Sequence, residues 1–297
     1  MLVLNTFAES LRKFDMAVSK LSKILNPDTL ETEQRAARIP NAKPGGIKSS
    51  SGNYFSVQEP STNSYIITTV DIPEILDSLK KDGFSLGINL PLELISEIWT
   101  FANCTLCYGN NDPSLGFYYS ERKQAQTKYG SIFKMGDYYK KTSLCPVIKQ
   151  LGSDPILLKI AARYLESEAV HQGNQLRWNF PVESPIYERG QSPQMFHREG
   201  NKRRVLKFLF YITDVDLCSN PHVCVRGSHV RKERTPLYRR REYSYQEISE
   251  YYGYQNIVPI CGRAGLGFVE DMRCFHKKVP VGSKDRLALQ IKFGVKD

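Results

Sequence analysis

Val205-Leu206-Lys207-Phe208-Leu209-Phe210-Tyr211-Ile212 is the stretch that decides the fold. It is dense in aliphatic and aromatic residues and runs into turn chemistry at 214–221, so it reads as a strand. Residues 222–225 form the next strand, closed by Gly227-Ser228-His229. Working outward, 176–180 and 194–199 are strands upstream, and 257–260, 266–270, 275–279 and 287–293 are strands downstream. Many short strands with Gly and Pro turns predict a mainly β fold, a sandwich or jelly roll, with helices gathered ahead of it.

Those helices have readable starts and stops. Asp71 caps a helix whose stripe is Ile72, Ile75, Leu76 and Leu79, and Gly83 ends it. Pro91 opens a second helix, and 155–166 forms a third. Residues 109–142 show no clear period and read as loops and short strands. Further upstream, 7–25 reads as an amphipathic helix behind Thr6, followed by a Pro, Gly and Ser-rich linker at 39–63. The expected division is therefore 1–64, an N-terminal helix and linker, and 65–297, the folded domain. Within the domain 231–255 is a long excursion, Arg-rich and then Tyr-rich, with a helix at 245–252; its place suggests a lid.

Composition narrows the classes. The chain has 297 residues, 41% of them apolar, enough for a sizeable core. No run is long and apolar enough to span a bilayer, and the N-terminus lacks a secretory pattern, so a cytoplasmic location is expected. The seven cysteines are scattered, which does not suit a disulfide framework, and the Cys104-x-x-Cys107 pair has no second pair at zinc spacing. Residues 196–297 hold 20 Lys and Arg against 11 Asp and Glu, nine of the ten net positive charges. A basic field suits an anionic ligand. No nucleic-acid module is legible, and nucleic acid is not an expected partner.

The candidate chemistry sits at Phe196-His197-Arg198-Glu199 and Phe275-His276. On a strand His197 and Glu199 share one face. A late strand bringing His276 beside them gives two imidazoles and one carboxylate, a set that leaves open positions on a non-haem iron. Two positions suit a chelating 2-oxo acid and one suits oxygen. On the last strand Arg286, Ala288 and Gln290 share a face opposite Leu287, Leu289, Ile291 and Phe293, which turns the arginine away from the apolar layer, where it can clamp a carboxylate.

With these residues the stretch from Val70 to Asp297 resembles the phytanoyl-CoA dioxygenase family of iron(II)/2-oxoglutarate-dependent oxygenases. The resemblance rests on 75–84, Asp154-Pro155, Tyr164-Leu165, Gln194 to Glu199, 210–215, Arg226-Gly227-Ser228-His229, Glu270 to His276, and Arg286. It implies a double-stranded β-helix, a cupin-like jelly-roll core with flanking helices. It also implies iron(II) on His197, Glu199 and His276, 2-oxoglutarate on Arg286, and O2 as oxidant. Hydroxylation of an unactivated C–H in a small, anionic or carrier-linked metabolite is the implied reaction, with succinate and CO2 released. Desaturation, cyclisation or epoxidation on the same scaffold, or a degenerate jelly roll binding an anion or nucleic acid, are the alternatives.

Two positions depart from the family pattern. Glu199 stands where the family usually has Asp, although related oxygenases of the clavaminate synthase type resemble this chain in using Glu. Lys277-Lys278 follow His276 where a small residue is common, adding positive charge near one of the two substrates. Arg177 and Gln194, on flanking strands, are further candidates for 2-oxoglutarate. His171, His222 and His229 read as structural, with His229 nearest the pocket. Asp271 reads as a hydrogen-bonding support.

Overall fold

Alternation along the strands sorts this chain into two sheets with a filled space between them. The computed structural model describes Ser64 and residues 70–181, 195–199, 204–230, 242–278 and 283–296. The expected helix at 7–25, the linker at 39–63, Tyr65, Gln194 and 231–241 lie outside the described residues.

The helices are α1 (Ile72–Asp82), α2 (Leu92–Cys104), α3 (Arg122–Tyr129), α4 (Pro146–Leu151), α5 (Pro155–Leu165) and α6 (Tyr245–Tyr252). The strands are β1 (Phe84–Leu86), β2 (Cys107–Gly109), β3 (Gly116–Phe117), β4 (Met135–Asp137), β5 (Ala169–Asn179), β6 (Phe196–His197) and β7 (Val205–Tyr211). They continue with β8 (His222–Val225), β9 (Glu242–Tyr243), β10 (Ile257–Ile260), β11 (Gly267–Asp271), β12 (His276–Lys278) and β13 (Arg286–Val295). One sheet has the order β1-β11-β7-β13-β5-β4-β2-β3 and the other β10-β8-β12-β6-β9, with antiparallel pairing throughout.

The larger sheet turns Leu206, Phe208, Phe210, Leu287, Leu289, Ile291 and Phe293 outward, into one core with Ile75, Leu79, Ile98, Leu157 and Ile160 of the helices. Each such side chain contributes about 1.5–3 kcal/mol relative to exposure. The opposite face carries Leu209, Tyr211, Phe268 and Ala288, which pack against Cys224 of the smaller sheet. The smaller sheet's outer face, with Phe196, Val223, Val225 and Phe275, is covered by Ile248 of α6. Two facing antiparallel sheets with helices on the flanks make a jelly roll, as the sequence pattern predicts.

Differences from the expected elements have physical causes. Residues 109–142 contain α3 as well as short strands; α3 buries only Ala125, so it carries no apolar stripe to read. β5 starts at Ala169, well before the expected 176, because its first half is polar and is held by backbone pairing to β13. β6 covers only Phe196 and His197, so Glu199 lies past the strand end, its N–H donating to Met272 O at 2.9 Å. Among the described residues no helix is long and apolar enough to cross a membrane.

Candidate metal and co-substrate site

β6 and β12 are neighbours, and His197 and His276 are paired residues in their register. Paired residues on adjacent strands project to the same face, and the two rings meet edge to face with centroids 4.4 Å apart. His197 is exposed and His276 buried, so the pair leads from the surface into the barrel.

The tautomer of His276 is set by its neighbours. Nδ1 lies 3.0 Å from Cys274 O and 3.3 Å from Glu270 Oε1. A carbonyl can only accept, so Nδ1 carries the proton and Nε2 the lone pair. Burial pushes the His276 pKa down to about 3, with Glu270 opposing, and the ring is neutral. A neutral imidazole with a free Nε2 is a competent metal donor. Ser228 holds the strand that delivers it, accepting from Phe275 N at 2.8 Å and donating to Val225 O at 2.6 Å.

Glu199 is held by two lysines that share the inward face of the larger sheet with Leu209 and Ala288. Its Oε1 accepts from Lys207 Nζ at 3.1 Å and its Oε2 from Lys292 Nζ at 3.4 Å. The two lysines are register partners on β7 and β13. Burial raises the Glu199 pKa, but the ammonium pair outweighs it and holds the carboxylate below its usual range. Among the described residues, the three ligand-type atoms gathered within 4.8 Å of one another belong to His222, Cys224 and Glu270, not to His197, Glu199 and His276.

Glu270 is the buried carboxylate of the barrel interior. Its Oε2 lies 2.8 Å from His222 Nε2, and Cys224 Sγ donates to Oε1 at 3.4 Å. Burial raises its pKa, which His276 and Lys207 counter. Sequence reasoning passed over Glu270 and Cys224 as site residues and read His222 as structural. The available signal was an ionisable residue at an inward position of β11, in step with Phe268.

Arg286 opens β13 facing the interior, 2% exposed, and its Nε and Nη1 have no hydrogen-bond partner. Its Cζ stands 5.7 Å from the Tyr211 ring, whose hydroxyl donates to Ile260 O. Burial lowers the Arg286 pKa, yet a guanidinium in a protein remains charged. A buried cation with unsatisfied N–H groups fits a carboxylate ligand.

The other candidates are committed elsewhere. Arg177 pairs with Asp137, Nη2 to Oδ2 at 2.8 Å, and reaches Asn111 at 3.2 Å. Asp271 accepts from Tyr164 Oη at 2.8 Å and pairs with Arg273, a supporting role. His229 is buried with Nε2 3.1 Å from Lys80 O, and His171 contacts Asn174 on the surface. Lys277, expected to add charge beside the substrates, instead points to the outer face. There its Nζ lies 4.5 Å from the Phe196 ring and 4.7 Å from the Tyr245 ring, and burial lowers its pKa to about 8. All seven cysteines are free thiols. A cavity of about 930 Å³ is lined by Trp99, Tyr119, Arg122, Trp178, Phe180 and Asp285, and neither histidine of the pair lines it.

No family model and no curated protein matches the sequence. Solved structures do match. AviO1 from Streptomyces viridochromogenes Tue57 is 16% identical, with 76% of this chain and 96% of that chain covered and a TM-score of 0.50. The epimerase SnoN, in complex with Fe3+, alpha ketoglutarate and nogalamycin RO, is 12% identical, covering 75% and 83%, with a TM-score of 0.52. HygX from Streptomyces hygroscopicus, with nickel and 2-oxoglutarate bound, is 13% identical, covering 75% and 87%, with a TM-score of 0.52. At these identities the likeness establishes the fold and does not single out the phytanoyl-CoA dioxygenase family.

Proposed function

We propose that the chain is an iron(II)- and 2-oxoglutarate-dependent oxygenase that hydroxylates a small molecule. In this reading His197, Glu199 and His276 hold the metal, and Arg286 holds the distal carboxylate of 2-oxoglutarate. The observation that carries it is Arg286, a buried guanidinium with two orphaned N–H-bearing nitrogens in the same barrel as a facing imidazole pair. Neighbours of the same fold were crystallised with iron or nickel and 2-oxoglutarate, which supports the assignment.

Each residue has a definite task. His276 presents a neutral Nε2, and His197 completes the pair from the exposed side. Glu199 exchanges its lysine partners for the metal, which Lys207 and Lys292 resist. Arg286 fixes the co-substrate's far end, while Leu209, Tyr211, Phe268 and Ala288 keep the interior dry. When bound, ferrous iron with 2-oxoglutarate and O2 supplies the oxidising power, with succinate and CO2 as by-products, and the protein supplies orientation and exclusion. The domain spans 65–297 in this reading, and 231–255 is its lid; β9, in the middle of that segment, pairs with β6 and sets Glu242 opposite His197.

The lysine pairs on Glu199 favour one second reading, a jelly roll that has lost turnover and binds an anion through Arg286. The test is oxygen-dependent succinate formation by the full chain with Fe(II), 2-oxoglutarate and candidate small-molecule substrates, followed by product analysis. Succinate with a hydroxylated product supports the proposal; a desaturated, cyclised, epimerised or epoxidised product replaces hydroxylation. 2-Oxoglutarate bound without any succinate selects the second reading.

A further inference from the structure

We infer that Glu270, clamped by His222, is a positioning residue that sets the orientation and donor strength of His276 toward a metal. This rests on the reading of His197 and His276 as a metal-binding pair, and it assigns work to two residues that the triad leaves out.

Both oxygens of the Glu270 carboxylate are used. Oε1 faces His276 Nδ1 at 3.3 Å and Oε2 faces His222 Nε2 at 2.8 Å. The His222 and His276 rings lie 5.4 Å apart and nearly parallel, at 23°, so the carboxylate bridges two stacked imidazoles. Glu270 is fully buried on β11, in the larger sheet, whereas both histidines belong to adjacent strands of the smaller sheet. The bridge therefore ties the two sheets together beside the pair.

Cys274 O alone would fix the His276 tautomer. What Glu270 adds is charge: a carboxylate behind an imidazole N–H makes the opposite nitrogen a stronger donor and locks the ring plane. His222 keeps that carboxylate from rotating away. This matters here because the other carboxylate, Glu199, is shared with two ammonium groups and is weakened as a donor. The same three donors, His222, Cys224 and Glu270, also lie close enough for a second metal. Hydrogen-bond distances among them favour the network instead, since each carboxylate oxygen already has a partner.

The experiment is anaerobic Co(II) titration of the full chain, read by visible absorption and by competition. It compares wild type, Glu270→Gln, His222→Phe, Cys224→Ser and His276→Ala, with 15N NMR of His276 in the metal-free protein. Wild type is expected to bind one Co(II). Glu270→Gln should lose ~10–100-fold in affinity with a shifted d–d band, and its His276 Nδ1–H resonance should move. His222→Phe, which keeps the carboxylate, should show a smaller loss and serves if Glu270→Gln does not fold. Wild-type affinity and an unchanged band in either folded variant would overturn the inference. So would a near-UV thiolate–cobalt band abolished in Cys224→Ser, which would make Glu270 a ligand of a second metal. If His276→Ala binds Co(II) as tightly as wild type, the metal reading of the pair fails instead, and the NMR shift still decides whether Glu270 partners His276.

Discussion

Glu199 accepts a hydrogen bond from Lys207 across 3.1 Å, with Lys292 on its second oxygen, and so faces a cation pair before it faces any metal. Ion pairs with this degree of exposure are worth about 0.2–1 kcal/mol. Lys207→Met should therefore raise metal affinity by up to about 5-fold, with stability changed by less than about 1 kcal/mol. Calorimetric metal titration measures it; a fall in affinity would show that Lys207 supports the metal-bound arrangement.

Removing Arg286 should separate co-substrate binding from stability. Arg286→Leu should weaken 2-oxoglutarate binding by about 2–5 kcal/mol, the usual penalty for deleting one side of a buried charge pair. The ligand-free variant should melt at a higher temperature than wild type, because an uncompensated buried cation has been removed. Calorimetry and thermal melts with and without 2-oxoglutarate read both effects.

Acid should destabilise the metal-free protein through His276. Its folded pKa, about 3, lies below its ordinary value of 6.5. Between those values the unfolded chain binds the proton and the folded chain does not, so stability falls as pH drops from 6.5 toward 3, by about 1.4 kcal/mol per unit. Glu270 works in the opposite sense just above the ordinary carboxyl range, since burial raises its pKa and the folded state gives up that proton later than the unfolded state does, becoming the charged carboxylate at higher pH. That contribution is lost as pH rises above the unfolded carboxyl value and flattens part of the slope. Denaturant melts across pH 5–7 should show falling stability toward acid, and His276→Phe should reduce the slope.

Gly83 is predicted to tolerate no side chain. It closes α1 at φ +85°, and a Cβ there would fall 2.2 Å from Cys274 Sγ and 2.5 Å from His229 Nδ1. Gly83→Ala combines a left-handed backbone with a clash beside the strand that delivers His276, and should cost about 2–3 kcal/mol. Equilibrium unfolding checks this.

Much of the frame was legible because it follows from local alternation. The run 286–293 put Arg286 opposite the leucines, and the structure buries those leucines under the helices while Arg286 faces the interior. His197 and His276 could be matched at a distance because a jelly roll has few ways to bring an early and a late strand together. The carboxylates were less legible. Where the Glu199 side chain points depends on Lys207 and Lys292, which meet only through the β7–β13 register. Glu270 could be placed on the inner face, but its partners come from β8 and β12, and no local pattern names them. The length of β5 was hidden for a similar reason, since its polar half is a strand only by virtue of β13.

We propose that His197, Glu199, His276 and Arg286 together hold ferrous iron and 2-oxoglutarate. The most direct measurement is the visible absorption of the full chain with Fe(II) and 2-oxoglutarate under argon, repeated with Arg286→Leu and His197→Ala. A metal-to-ligand charge-transfer band is expected in wild type, and both substitutions should abolish it. No band in wild type, or an undiminished band in either variant, would contradict the proposal.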